Sequence, residues 1–280
     1  MSLTPTPSEL EDFLREDVPM GDLTTEALAI GDRPARMMFT ARGPMVVAGI
    51  DIAVGLIRVA GGAAGALVVD GDKVAAGTVL LEAMGRAGAL HRAWKQAQTV
   101  VEILSGIAGA GRAMVEAAVA EGRRVPVATT RKTLAGARRL QLGAARVGGC
   151  VAHRTGLSET VLVFAEHRVF LDEPLAATVA RLAARAPEKK LVIEVASAEE
   201  AEAAALAGFD VIQLEKFTPA EVAEAVRRAK AARPGVVVAS AGGITPAEAP
   251  AHVAAGADLL VTSWPYRAAP SDVAVVIGPA

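Results

Sequence analysis

Residues 191–215 read LVIEVASAEEAEAAALAGFDVIQLE and hold a complete strand–helix–strand unit. LVIEV (191–195) and VIQLE (211–215) are short apolar runs rich in β-branched residues, the composition of buried parallel strands. Between them, Ser197-x-x-Glu200 reads as a capping box that opens a helix, and Gly208 closes it. The pattern repeats downstream. VIQLE is followed by Thr218-Pro219-Ala220-Glu221 and a helix ending before Pro234. VVVAS (236–240) is followed by Thr245-Pro246-Ala247-Glu248 and a helix ending at Gly256, and DLLVT (258–262) comes next. Short strand–helix units in series imply parallel strands with right-handed crossovers. Upstream, VPVAT (125–129), CVA (150–152) and TVLVF (160–164) are further candidate strands. The total of about seven is close to a βα-barrel.

The N-terminal half has a different texture. Thr6 caps a first helix with Pro7 at its first position and Glu9 completing a capping box; Pro19 and Gly21 stop it. Residues 36–50 read as strands, MMFT and MVVAG, broken at Gly43-Pro44. Gly and Asp punctuate residues 66–84 in the manner of a small antiparallel sheet. From Leu90 to about Glu121 the pattern is helical, with a break expected at Ser105-Gly106. The expected domains are 1–113, 114–264 and a tail, 265–280, returning to the first.

Composition narrows the class. Of 280 residues, 52% are hydrophobic and 21% charged, which describes a globular chain. The formal charge of −2 and 3% aromatic content argue against nucleic-acid binding and base stacking. A single cysteine, Cys150, excludes an intramolecular disulfide and a Cys-rich zinc site. The longest uncharged run of the N-terminal half, between Arg58 and Asp70, has 11 residues, against the ~20 that a membrane helix needs. MSLTPTPSELEDFLRED lacks the positive start and apolar core of a signal peptide. The expectation is a soluble cytoplasmic protein without membrane insertion.

In βα-barrels the chemistry sits at the C-terminal ends of the strands. Those ends here carry Arg131 and Lys132, His153 and Arg154, Glu194, Glu215, Ser240 to Gly243, and Thr262-Ser263. The basic residues suit phosphates or carboxylates, Arg as a bidentate fork and Lys as a point charge; the competing reading is a solvated Arg-Lys pair. Glu194 and Glu215 suit Mg²⁺ or a developing positive charge; the competing reading is a pair of structural salt bridges. Backbone amides of the Ser240–Gly243 loop suit a phosphate. Alone, His153 reads as a structural histidine, Phe164 as core or pocket wall, and Cys150 as a small buried hydrophobe.

In order, TTRKT-x-x-G-x-R (129–138), GG-x-x-x-HR (148–154), IEV (193–195) and SAGGI (240–244) resemble the quinolinate phosphoribosyltransferase family. EDVPMGDLTT (16–25) and LSGIAG (104–109) extend the likeness to its N-terminal domain. HRTGLSETVLVFAEHRVF (153–170) and IQLEKF (212–217) resemble the ModD subfamily, associated with molybdate-transport genes. The resemblance implies an N-terminal α/β sandwich followed by an incomplete parallel βα-barrel. It implies transfer of phosphoribosyl from phosphoribosyl pyrophosphate to a ring-acid acceptor, with Mg²⁺, in a homodimer or an assembly of dimers. By position, Arg131, His153 and Arg154 would bind the acid. Lys132, Glu194 and Glu215 would serve the donor, its metal and the cationic sugar. Ser240, Gly242, Gly243, Thr262 and Ser263 would hold phosphate, and Lys95 would reach in from the partner.

The departures from the family pattern are also specific. Phe164 replaces a quinolinate-binding Lys, Lys95 an Arg, Glu215 an Asp, and Ser263 a Gly. The donor side therefore resembles the family more closely than the acid side does. Two other functions stay open at this point: a true decarboxylating quinolinate enzyme of NAD biosynthesis, and a non-catalytic binder of molybdate or a phosphorylated ligand.

Overall fold

The computed structural model describes residues 5–280; the first four residues of the N-terminal stretch lie outside them. The elements run α1 (Pro7–Asp17), α2 (Leu23–Ala27), β1 (Pro34–Ala41), β2 (Met45–Val46), α3 (Ile50–Val59), β3 (Ala63–Ala66), β4 (Lys73–Val74), β5 (Val79–Arg86) and α4 (Ala87–Ala117). Next come β6 (Val119–Ala120), β7 (Arg123–Arg124), β8 (Val127–Thr129), α5 (Arg138–Val147), β9 (Val151–Ala152), β10 (Val161–Val163), α6 (Ala165–Arg168) and α7 (Leu175–Arg185). The last are β11 (Leu191–Val195), α8 (Ala198–Ala207), β12 (Val211–Glu215), α9 (Pro219–Ala232), β13 (Val237–Ala241), α10 (Ala249–Ala254), β14 (Leu259–Thr262), a 3₁₀ turn (Trp264–Arg267) and β15 (Val273–Pro279). Two compact units emerge. One runs through Arg112 and adds Ala135–Gly148 and Pro265–Ala280; the other is Ala113–Leu134 with Gly149–Trp264.

The first unit is built on an antiparallel sheet of order β15-β1-β5-β3. β1 alternates as a half-buried strand must, with Ala35, Met37, Phe39 and Ala41 turned inward. Helix α3 packs on β3 and β5, and α1 on α3, which gives the α/β sandwich. The capping box on α1 forms as expected, with Thr6 and Glu9 each bonding the other's backbone.

The expected break at Ser105-Gly106 does not occur: α4 is a continuous helix of 31 residues. Both residues serve packing instead. The Ser105 hydroxyl is fully buried and accepts from Ala48 N at 2.9 Å. A Cβ on Gly106 would stand 2.2 Å from the carbonyl oxygen of Ala269.

The second unit holds seven parallel strands in the order β10-β11-β12-β13-β14-β8-β9. Chain order and spatial order agree around the ring except at the edges, β9 and β10, so the barrel is incomplete. The buried residues of α8 (Ala201, Ala204, Ala205) and α9 (Val222, Ala225, Ala229) follow helical spacing against the strands. Inside, Ala128, Ala239, Ala241 and Val261 form a cluster of small side chains.

Two helix starts differ from expectation. Ser197 caps α8 by accepting from Glu200 N, but the Glu200 carboxylate is held by Arg168 and Ala196 N, so the reciprocal half of the box is missing. Thr245 and Glu248 bond each other, yet residues 246–248 are a turn and the helix begins at Ala249. Helices α5, α6 and α7 lie in stretches where the sequence reading named no element. Among the described residues, no helix is long and apolar enough to cross a membrane.

Glycine-to-alanine exchange in a free helix stabilises by ~1 kcal/mol. At Gly106 the clash with backbone reverses that sign. Gly106→Ala is expected to destabilise the protein by about 1–3 kcal/mol in urea unfolding; a stabilised variant would disprove the close approach.

Candidate active site

Alternation along each strand turns every second side chain inward, and the parallel register brings seven strand ends to one side. There a cavity of about 370 Å³ opens. Thr130, Arg131 and Lys132 follow β8; His153 and Arg154 follow β9; Phe164 and Glu166 follow β10. Glu194 on β11 and Gln213 and Glu215 on β12 form the opposite wall, and Gly242, Gly243, Thr262 and Ser263 complete it.

Eleven of the thirteen residues singled out from sequence therefore line one cavity. Two do not. Ser240 is fully buried behind the loop, its hydroxyl 2.9 Å from Nδ1 of His252. Lys95 lies on α4, its Nζ 3.9 Å from the Trp94 ring centre and bonded to Gln98. Thr262 lines the cavity, but its hydroxyl is engaged: it donates to Ile244 O at 2.8 Å and accepts from Trp264 N at 3.0 Å.

The glycine loop is fixed by steric necessity. Gly242 has φ +95°, and a Cβ there would lie 2.6 Å from Lys216 N and 3.1 Å from a Glu215 carboxylate oxygen. Lys216 itself sits at φ 62° and donates its N–H to Ala241 O. The end of β12 thus folds against the end of β13, and only glycine fits between them. Gly243, at φ +85°, faces open space.

The charges are concentrated and unneutralised. Among the described residues, Arg131, Lys132, Arg154, Glu166, Glu194 and Glu215 form no salt bridge, although all line the same cavity. Arg154 is only 7% exposed. Burial, then the charge of Arg131, makes its guanidinium easier to deprotonate than usual, though an Arg remains cationic. Burial and Arg154 push His153 down, so its imidazole is neutral at neutral pH. Burial first, then the Glu215 charge, raises Glu194 above the usual carboxylate range, against the bond it accepts from Gln213 Nε2 at 2.7 Å. Cys150, buried beside β9, has its thiol pushed up to about 12, which makes it inert.

Two lining residues went unnoticed in the sequence, Gln213 and Glu166. Gln213 was hidden in an apolar strand, but it lies two residues from Glu215, and strand alternation puts both on one face. No comparable signal marked Glu166.

Comparison with known proteins agrees with this geometry. The description "Quinolinate phosphoribosyl transferase, N-terminal domain" matches residues 22–105, and "Quinolinate phosphoribosyl transferase, C-terminal domain" matches 107–276. The chain belongs to the quinolinate phosphoribosyltransferase family. A provisionally named pyrophosphorylase, ModD, of Rhodobacter capsulatus is 48% identical over 208 residues, 74% of this chain and 80% of that one. The ModD protein of Pasteurella multocida is 39% identical over 272 residues, 96% of each chain. The crystal structure of NadC from Streptococcus pyogenes superposes with a TM-score of 0.88 at 26% identity, covering both chains completely. As a member of a phosphoribosyl transferase family, the protein is an enzyme of the pentosyltransferase class.

A carboxyl with a raised pKa holds its proton more tightly in the folded chain than in the unfolded one. Its contribution to stability is present below the usual carboxylate range and is lost as pH rises through the folded-state pKa. Glu194→Gln is therefore expected to raise the melting temperature at pH 8 and leave it nearly unchanged at pH 4. Equal destabilisation at both pH values would contradict this.

Proposed function

We propose that the protein transfers the phosphoribosyl group of phosphoribosyl pyrophosphate to a ring nitrogen of a heteroaromatic acid, releasing pyrophosphate. One observation carries the reading: three unpaired cations and three unpaired carboxylates share one cavity with an open glycine loop. An enzyme that binds a polyanion and must also favour a cationic sugar needs both signs within reach, held apart from one another.

The backbone N–H groups of the Gly242–Gly243 loop hold the 5′-phosphate. Lys132 faces the pyrophosphate as a point charge. Arg131 and Arg154 bind the acceptor's acid group, with the neutral His153 as a further hydrogen-bonding group. The nitrogen lone pair forms the new bond to C1 of the ribose. The bond from C1 to the pyrophosphate oxygen breaks, and its electron pair leaves with pyrophosphate. Glu194 and Glu215 favour the positive charge that develops on the sugar between these events.

Magnesium is part of the proposal. No cluster of three acidic, His or Cys ligands exists among the described residues. Mg²⁺ on substrate phosphates needs only one or two carboxylates and otherwise keeps water. Glu194 and Glu215 fit that donor set: they lie close enough for the second to raise the pKa of the first. Bound there, the ion supplies positive charge to the departing pyrophosphate. By the family resemblance Lys95 would reach the site of a second copy of the chain, so the proposed state is a homodimer. A fully active monomer by light scattering would remove Lys95 from the reaction.

Calorimetric titration of phosphoribosyl pyrophosphate, with and without Mg²⁺, tests the reading. Metal-dependent binding is expected, weakened about tenfold or more in Lys132→Ala, the loss of one charge-assisted contact. Absence of binding would overturn the proposal and favour an oxyanion-binding protein, with molybdate as the next titrant.

A further inference from the structure

Resting on the phosphoribosyl-transfer reading, we infer that the acceptor carries a single acid group and, elsewhere on its ring, a hydrogen-bond donor received by Glu166. The cavity is chemically divided. Arg131, His153 and Arg154 gather on one side, from the loops after β8 and β9. The segment after β10 supplies a different surface. The Phe164 ring lies 5.3 Å from the Arg154 guanidinium carbon and stacks on the His167 imidazole at 5.7 Å with an interplanar angle of 19°. His167 Nδ1 also accepts from Phe164 N at 3.0 Å, which closes the turn. Phe164 is thereby held as a flat apolar wall beside the acid-binding cations, suited to the face of an aromatic ring.

Two residues beyond that wall, Glu166 lines the cavity at its exposed rim. It has no ion-pair partner among the described residues, and its charge is near enough to Glu194 to oppose ionisation there. Deeper in the cavity, Gln213 is 5% exposed, and its Oε1 has no hydrogen-bond partner. The amide nitrogen is committed to Glu194, so this orphan atom is an acceptor. The Gln213 oxygen is itself enclosed, so the acceptor open to a ligand is the Glu166 carboxylate at the exposed rim, which has no ion-pair partner among the described residues. A second carboxylate on the acceptor that reached the rim would meet the unpaired charge of Glu166. An amino group or ring N–H would instead donate to that carboxylate. The selection is by repulsion as much as by attraction: Glu166 excludes dicarboxylates and recruits nitrogen donors.

Binding, rather than turnover, tests the inference. The protein is first titrated with phosphoribosyl pyrophosphate and Mg²⁺; failure there is failure of the transfer reading itself. The loaded protein is then titrated with pyridine-2,3-dicarboxylate, with pyridine monocarboxylates, and with aminopyridine monocarboxylates bearing the amino group at each ring carbon in turn. At least one aminopyridine monocarboxylate is expected to bind about tenfold or more tightly than both the dicarboxylate and its own amine-free parent. Glu166→Lys, checked for folding by thermal melt, is expected to reverse the order in favour of the dicarboxylate. Equal or tighter binding of the dicarboxylate to the unaltered protein overturns the inference. So does binding of none of the acids, or an order of affinities that Glu166→Lys leaves unchanged.

Discussion

Electrostatic repulsion between groups that the strand ladder forces together governs much of this molecule. A parallel ladder cannot scatter its strand ends: β8 to β14 all finish on the same side, with Glu194 opposite Gln213 and Glu215 opposite Ala241 in register. In this chain those ends carry charge. The Glu215 charge adds to the cost of ionising Glu194, and the Arg131 charge to the cost of keeping Arg154 protonated. The small residues beneath them, Ala128, Ala239, Ala241 and Val261, keep space under the mouth. The glycine at 242 lets two strand ends approach closely enough to shape its wall.

Elsewhere in the second unit several charges are paired. Arg228 meets Glu199, Glu202 and Glu224; Asp258 receives both Arg123 and Lys230; Arg233 holds Asp210. Such partly exposed pairs contribute about 0–1 kcal/mol each. The charged residues at the mouth make no such pairs although they share one cavity. Functional sites commonly carry such local destabilisation, offset by the rest of the fold.

Local patterns made most of the fold readable. β11 and β12 have the bounds that their apolar runs indicate, and the helix after β12 opens on its capping box. The misreadings occurred where a distant residue overrode a local signal. Ser105-Gly106 looks like a helix break, but it is the surface on which the Ala48 and Ala269 backbones settle. Glu200 looks like half of a capping box, but Arg168 takes its carboxylate. At the mouth, strand-end position sufficed for most candidates, because direction along a parallel strand is fixed once the strand is identified. It misplaced Ser240, whose hydroxyl is drawn backward to His252, and it passed over Gln213, which composition assigns to the core.

The incomplete ring has an evolutionary consequence. β9 and β10, of two and three residues, are the edges of the sheet, and their following segments carry His153, Arg154, Phe164 and Glu166. The glycine loop and the two barrel glutamates, by contrast, come from strands bonded on both sides. Insertions or exchanges near the seam disturb few ladder bonds, whereas the same changes at β12 or β13 disturb two neighbours. A fold arranged in this way can alter one partner of a reaction by small steps while the other stays fixed. Under the proposed reading, divergence of new acceptor specificities from a common donor site is then the path of least structural resistance.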